Sequence, residues 1–491
     1  MAGASDIQHG SKFCLQCHYA LDGAPTNQCP ECGAAFDRED PATYSPVPAE
    51  MDRAGRSKLL AVLPWLVMLV LALHLVFFRP DFLGGVFSQW FTYVLIGLIL
   101  LLLSDLFHIH RNAARATRLR EQMEWDQLRQ LHERRLRSWR PAYRIIQWWF
   151  APGGLEAEYA ADLSAMGDTE GALVMAERGL RCAKRKPRIA AMALDLHLLA
   201  LLSLGRYADA RVEIEANLSN PAARARCLLG MGRMHLYEGR IAQALPPLME
   251  VIGQTGDTTA NEARTTASTC HWLMGQFDEA LAILDSDLVD GARLFDDKTM
   301  KLLLRTATGR KTLNATRKRY AAAVVPSRAH HRARVHLTCN DIERALVALK
   351  LAEPWAMPES AHGWTRHEHL GYQAMCAAAQ GHAEEAEQWI AKMRAIQGKI
   401  PARPLQCAGD FFEGWAAIRL QRWDRAIAAF ESALAHVTHP IDQHQATYGL
   451  ALAFKGAGEL ARAQEAFDRV IADGFDTRMH REALKERAIR T

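Results

Sequence analysis

Gly205-Arg-Tyr-Ala-Asp-Ala210 and Gly239-Arg-Ile-Ala-Gln-Ala244 are one phrase written twice, 34 residues apart. The phrase is a turn residue, any residue, an aromatic or aliphatic residue, two more, then alanine. It recurs as Gly167-Asp-Thr-Glu-Gly-Ala172, Gly275-Gln-Phe-Asp-Glu-Ala280, Asn340-Asp-Ile-Glu-Arg-Ala345, Gly381-His-Ala-Glu-Glu-Ala386, Gln421-Arg-Trp-Asp-Arg-Ala426 and Gly458-Glu-Leu-Ala-Arg-Ala463. Successive spacings are 38, 34, 36, 65, 41, 40 and 37 residues. The 65 is close to two periods, and a degenerate copy from Gly309 to Ala315 fills the gap, so about nine units are expected. The surrounding sequence is rich in Ala, Leu, Arg and Glu and poor in alternating β-branched runs, which predicts helices. Phe430 with Ala433-Leu434, and Phe467 with Val470-Ile471, fall at helical spacing on one face.

This register resembles the tetratricopeptide repeat, a pair of antiparallel helices, A and B, of about 34 residues. In that family the glycine marks the turn between A and B. The following aromatic packs in the A/B groove, and the small alanine lets helices approach closely. Gly232 and Gly414 stand where helix A of the family often has glycine. The resemblance implies a mainly α fold, an α-solenoid over residues 156–491. It also implies a concave groove that holds extended peptides or helices of a protein partner, and binding in place of enzymatic chemistry.

The rest of the 491-residue chain is unlike this part. Overall, 49% hydrophobic and 23% charged residues exclude a wholly disordered or collagenous chain. Lys plus Arg is 59 against 55 for Asp plus Glu, a net charge of +4, so any charge argument must be local. Residues 59–107 are almost wholly apolar. Segment 59–78 holds eight Leu, four Val and two Phe, and segment 86–107 is continuously apolar from Tyr93 to Leu103. Each is long enough to span a bilayer core as a helix. Arg53, Arg56 and Lys58 precede the first, and Arg111, Arg115, Arg118 and Arg120 follow the second. The positive-inside rule then predicts a multi-pass inner-membrane protein of bacterial type with both termini cytoplasmic. Residues 108–155 read as a basic juxtamembrane helical segment, with nine Arg from Arg111 to Arg140.

Near the N-terminus, Cys14-Leu-Gln-Cys17 and Cys29-Pro-Glu-Cys32-Gly33 form two CxxC pairs eleven residues apart. Zn²⁺ favours four tetrahedral thiolates in structural sites, and a two-residue gap lets both sulfurs of a pair reach one metal. Cys14, Cys17, Cys29 and Cys32 are therefore expected to hold a structural Zn²⁺ whose binding supplies the folding energy of this small segment. The pattern resembles the rubredoxin-like zinc ribbon, here residues 1–40, followed by a Pro-rich linker, 41–58. His18 stands where the first knuckle usually has glycine. Residues 1–45 carry Lys12 and Arg38 against Asp6, Asp22, Glu31, Asp37, Glu39 and Asp40, a balance that repels phosphate. Nucleic acid is thus not the expected partner of the ribbon.

Between Asp297 and Asp341 there is no acidic residue. Lys298, Lys301, Arg305, Arg310, Lys311, Arg317, Lys318, Arg319, Arg328, Arg332 and Arg334 make this the candidate partner-binding surface. Two readings follow: a membrane-tethered adaptor whose solenoid binds a protein, or a regulator whose 298–334 segment binds nucleic acid or anionic lipid. Catalytic motifs fail. Gly309-Arg-Lys-Thr312 evokes a phosphate loop, but Leu304 occupies the position of its required first glycine. His367-Glu368-His369 lacks the second histidine of a zinc protease, since Gly371 stands there. The solitary cysteines, Cys182 to Cys407, read as small buried residues.

Overall fold

In the computed structural model, each of the eight quoted phrases is the turn between two helices. The residues described are 13–14, 44–45, 97, 104, 107–109, 111–120, 122–138, 152–183, 186–254, 258–285, 307–357, 363–399 and 403–488. The first residue of every phrase has φ between 56° and 82°. Its successor's N–H bonds back to the carbonyl five residues earlier, at 2.8–2.9 Å, closing the left-handed helix stop that glycine favours. The third residue begins helix B. The alanine's N–H then returns to the second residue's carbonyl at 2.9–3.2 Å, completing the first turn of helix B. All eight alanines are 0–2% exposed, so no larger side chain has room there.

The A/B pairs are α2 (Gly154–Met166) with α3 (Thr169–Ala183), α4 (Pro187–Ser203) with α5 (Tyr207–Asn217), α6 (Arg224–Tyr237) with α7 (Ile241–Gln254), and α8 (Thr258–Leu273) with α9 (Phe277–Asp285). They continue as α10 (Ala307–Thr338) with α11 (Ile342–Ala356), α12 (Gly363–Ala379) with α13 (Ala383–Gln397), α14 (Arg403–Arg419) with α15 (Trp423–His436), and α16 (Pro440–Ala457) with α17 (Leu460–Ala472). A last helix, α18 (Arg478–Ala488), covers the end.

Two features depart from the expected register. The degenerate copy at Gly309 to Ala315 is no turn: it lies inside α10, one continuous 32-residue helix. A further pair sits earlier, where a helical stretch, 111–120, turns into α1 (Trp125–Arg137). Its phrase is Met123-Glu-Trp-Asp-Gln-Leu128. Met123 has φ 55°, and Glu124 N–H reaches Leu119 O at 2.9 Å. Part of the tract expected to lie beside a membrane is therefore solenoid. Ala116, Leu119, Leu128 and Leu131 bury against Tyr159, Leu163 and Met166 of α2.

The chain divides into two units, Met1–Ala113 and Ala114–Thr491. In the first, β1 (Phe13–Cys14) pairs antiparallel with β2 (Tyr44–Ser45), placing Cys14 opposite Tyr44. The expected multi-pass inner-membrane location is corrected. Among the described residues no helix is long and apolar enough to cross a membrane. The longest, α10, carries arginine or lysine in nearly every stretch, which a lipid-facing helix does not tolerate. Segments 59–78 and 86–107 themselves lie outside the described residues, apart from Gly97, Ser104 and Phe107.

Close approach between helices is carried by glycines facing large side chains. A Cβ on Gly414 would lie 2.8 Å from the ring of Phe430, and one on Gly449 would lie 2.5 Å from it. Phe430, fully buried on helix B of one pair, is thus clasped by helix A of its own pair and helix A of the next.

Candidate functional site

Successive A helices lie side by side from α2 through α16, whereas successive B helices make no comparable contact among the described residues. The A helices therefore run at the smaller radius and form the concave face. Their seams are crossed by polar links. Arg226 of α6 pairs with Asp195 of α4, and Arg233 of α6 reaches Glu262 of α8 at 2.6 Å. Arg328 of α10 donates Nε–H to Asn261 Oδ1 of α8 at 2.7 Å.

The α10–α12 seam holds a histidine chain. His330 Nδ1 lies 3.3 Å from the Glu368 carboxylate, and His330 Nε2 lies 3.3 Å from His369 Nδ1. The carboxylate calls for a proton on His330 Nδ1, so Nε2 accepts from His369. Burial pushes His369 down to about 4. His331 accepts from Arg334 at 2.7 Å, and burial followed by that neighbouring charge lowers it to about 3. His367 is fully buried against the edge of Phe412, and burial lowers it to about 4. His330, His331 and His369 thus serve as hydrogen-bonding links of the seam, whereas His367 is held there by packing, neither of its ring nitrogens having a hydrogen-bond partner among the described residues.

Of the predicted basic surface, Arg310, Lys311, Arg317, Lys318 and Arg319 lie on the α10 backbone, with side chains outside what is described. Arg328, Arg332 and Arg334 are engaged within the solenoid. Arg328 is 1% exposed and also donates to Leu284 O at 3.4 Å. Arg332 pairs with Asp285 at the end of α9. Arg334 donates to Thr269 Oγ1 at 2.7 Å and lies 4.5 Å over the Trp272 ring. Of the predicted zinc ligands, only Cys14 falls among the described residues. Cys227, Cys270, Cys376 and Cys407 are buried as expected, while Cys182 and Cys339 are exposed.

Among the described residues, one cluster has metal-like composition: His132, Glu158 and Asp162 offer ligand atoms within 4.8 Å of one another. Its donors are already matched. Arg120 donates to Asp162 at 2.6 and 2.7 Å and to Glu158 at 2.8 Å, Arg135 reaches Glu158 at 3.0 Å, and His132 meets Asp162 at 2.6 Å. Burial alone would raise both carboxyls, but these hydrogen bonds outweigh it and hold them below the usual range. Two guanidinium groups balance two carboxylates, which makes the cluster an ion-pair knot joining the first pair to α2.

The sequence reading missed how the last helix pair meets earlier ones. His439, at the start of α16, accepts or shares a hydrogen bond with Tyr207 Oη at 3.0 Å and stacks on Tyr237 with centroids 4.0 Å apart. Phe475 covers Gly239, where a Cβ would lie 2.3 Å from the ring. Arg478 lies 5.1 Å over Trp272, and Arg481 donates to Met274 O. The edge of the last pair thus rests on the A/B turns of three early pairs, and one apolar core runs through both.

No family model matches the chain, and no curated protein matches it. Among solved structures, a chain in the crystal structure of the APC/C hetero-tetramer Cut9–Hcn1 is similar, with 14% sequence identity and a TM-score of 0.44. The similarity covers 74% of this chain and spans 59% of that one.

Proposed function

We propose that the solenoid is a protein-binding scaffold whose concave A-helix face receives a segment of another protein. The observation that carries this reading is the side-by-side row of A helices, α2 to α16, at the smaller radius. Such a row presents side chains from many repeats to one extended ligand, which is how stacked helix pairs generate binding surfaces. Arg328, Arg332 and Arg334 already have intramolecular partners, so an acidic-ligand patch built on them does not enter the proposal.

The test compares faces. Full-length chain bearing Asp195→Lys and Glu262→Lys on the A-helix seams is set beside chain bearing Val212→Lys on α5, a residue 68% exposed on a B helix. A partner that docks on the concave face is captured by wild type and by the Val212 variant and lost by the seam variant. Equal capture by all three removes the reading.

For the N-terminal segment we infer a structural Zn²⁺ held by Cys14, Cys17, Cys29 and Cys32. Four thiolates in two CxxC pairs suit zinc's tetrahedral preference. The pairing of Cys14 with Tyr44 is in keeping with a short ribbon.

A further inference from the structure

Glu158, Asp162, Glu368 and Glu413 are withdrawn from water, yet each carboxyl lies below its ordinary range. Burial alone would raise them, but matched donors outweigh it. Arg120, Arg135 and His132 hold the first two, His330 holds Glu368, and Arg394 and Arg425 hold Glu413. Asp442 is the opposite case. It is half-buried in the first turn of α16, and burial pushes it up to about 6. Its place at the helix start favours the charged form. Burial prevails because no cation is at hand. Among the described residues no basic side chain pairs with Asp442, and its side-chain donor is the Gln445 amide, at 3.4 Å.

The surroundings of Asp442 are aromatic and belong to the concave face. Tyr237 stands one turn beyond Arg233 on α6, on the side from which Arg233 crosses the seam to Glu262. His439, three residues before Asp442, stacks on Tyr237 with centroids 4.0 Å apart and meets Tyr207 Oη at 3.0 Å. Burial first, and the Asp442 charge after it, push up Tyr207, Tyr237 and the Cys407 thiol of α14, so all three lie within reach of that charge. His439, lowered by burial to about 4, supplies no positive charge, and Arg233 is engaged by Glu262. A carboxylate lacking a cation, set among rings, suits an ammonium or guanidinium group. The carboxylate pairs with the charged head, and the rings line its methylene stem.

We propose that Asp442, bordered by Tyr207, Tyr237 and His439, is a cation-receiving pocket that takes a lysine or arginine side chain of the partner segment. The proposal deepens the scaffold reading and rests on it. It makes the partner segment basic at the point where it passes the start of α16. The occupant follows from charge complementarity. A carboxylate half out of water is satisfied by a basic side chain, whereas an apolar one leaves it unpaired and an acidic one repels it.

The probe is the peptide acetyl-Ala-Ala-Lys-Ala-Ala-amide with a neutral fluorophore, beside the same peptide with norleucine for lysine. Both are titrated by anisotropy at fixed ionic strength against the full-length chain. Wild type binds the lysine peptide about fivefold more tightly than the norleucine peptide, the size of a partly screened ion pair. Asp442→Asn binds the two alike. Asp468→Asn, which alters an exposed carboxylate of α17, behaves as wild type. A second measurement needs no variant. Of Tyr207, Tyr237, Cys407, His439 and Asp442, which face the pocket, only Asp442 titrates between about pH 5 and 7.5. The lysine preference therefore falls as pH drops through about 6, since only about a tenth of Asp442 stays ionised at pH 5. No lysine preference in wild type, an unchanged preference in Asp442→Asn, an equal loss in Asp468→Asn, or a preference indifferent to pH overturns the proposal. The experiment uses no outside partner, so its failure is distinct from failure of the face-comparison test.

Discussion

Gly458 and Gln421 do the same backbone work with different side chains, and exchanging them predicts opposite effects. Gly458 has φ 82°, and a Cβ built on it meets nothing within 4 Å. The cost of Gly458→Ala is therefore conformational, with no clash: about 1–2 kcal/mol for a left-handed L-residue, less the about 0.5–1 kcal/mol of backbone entropy that alanine spares, a net loss of about 0.5–1 kcal/mol. Gln421 already carries that cost at φ 56°. Gln421→Gly removes it but adds about 0.5–1 kcal/mol of backbone entropy lost on folding, leaving a net gain of about 0.5–1 kcal/mol. A long helical array does not unfold as one two-state unit, so the effect is read locally by hydrogen exchange. Amides at the end of α16 and start of α17 should exchange about two- to fivefold faster in Gly458→Ala, from about 1.4 kcal/mol per factor of ten. Those flanking residue 421 should slow about two- to fivefold in Gln421→Gly. If both substitutions accelerate exchange, the turn geometry assigned to the phrase is wrong.

Removing the Phe430 ring should cost about 3–5 kcal/mol as a cavity, and Gly449→Ala about 1–3 kcal/mol as overpacking against that ring. Because both act on one contact, the double variant should be less unstable than the sum, read by hydrogen exchange across α14 to α16. One zinc per chain should be found by elemental analysis of full-length protein, falling to background in Cys29→Ser; an unchanged metal content removes the four-thiolate site. Where the start of α16 meets Tyr207 and Tyr237, burial lowers His439 to about 4 and raises Asp442 to about 6. Between about pH 4 and 6 the unfolded state binds more protons at His439, favouring closure as pH rises, while the folded state binds more at Asp442, with the opposite slope. The two offset each other in wild type. His439→Gln should leave closure weakening as pH rises through that window, read by exchange at Tyr237 to Gly239, and a flat profile would contradict the assignment.

The turns were legible because their chemistry is local. A left-handed stop, a helix N-cap and a buried N4 alanine all fall within six residues, so eight of the nine turns could be read directly. Met123 escaped because methionine replaces the expected glycine and Leu128 the alanine, although the same hydrogen bonds form. Gly309 misled for the converse reason: a glycine in a long helix is tolerated, and no stop follows it. The arginines of α10 looked like a surface patch because linear charge density carries no information about which residues face Asn261, Asp285 or Trp272. The closure of the superhelix was least legible. It depends on small rotations accumulated over six pairs, which no single motif encodes.

The most direct test of this architecture is a photo-crosslink from position 207. Tyr207 sits three helix pairs into the chain, yet its hydroxyl is 3.0 Å from His439. With p-azidophenylalanine at 207 in the full-length chain, irradiation and mass spectrometry of the monomer band should yield a crosslink to the peptide containing His439. Crosslinks confined to the neighbouring α4–α6 segment, with none reaching the start of α16, would show an open solenoid and contradict the account.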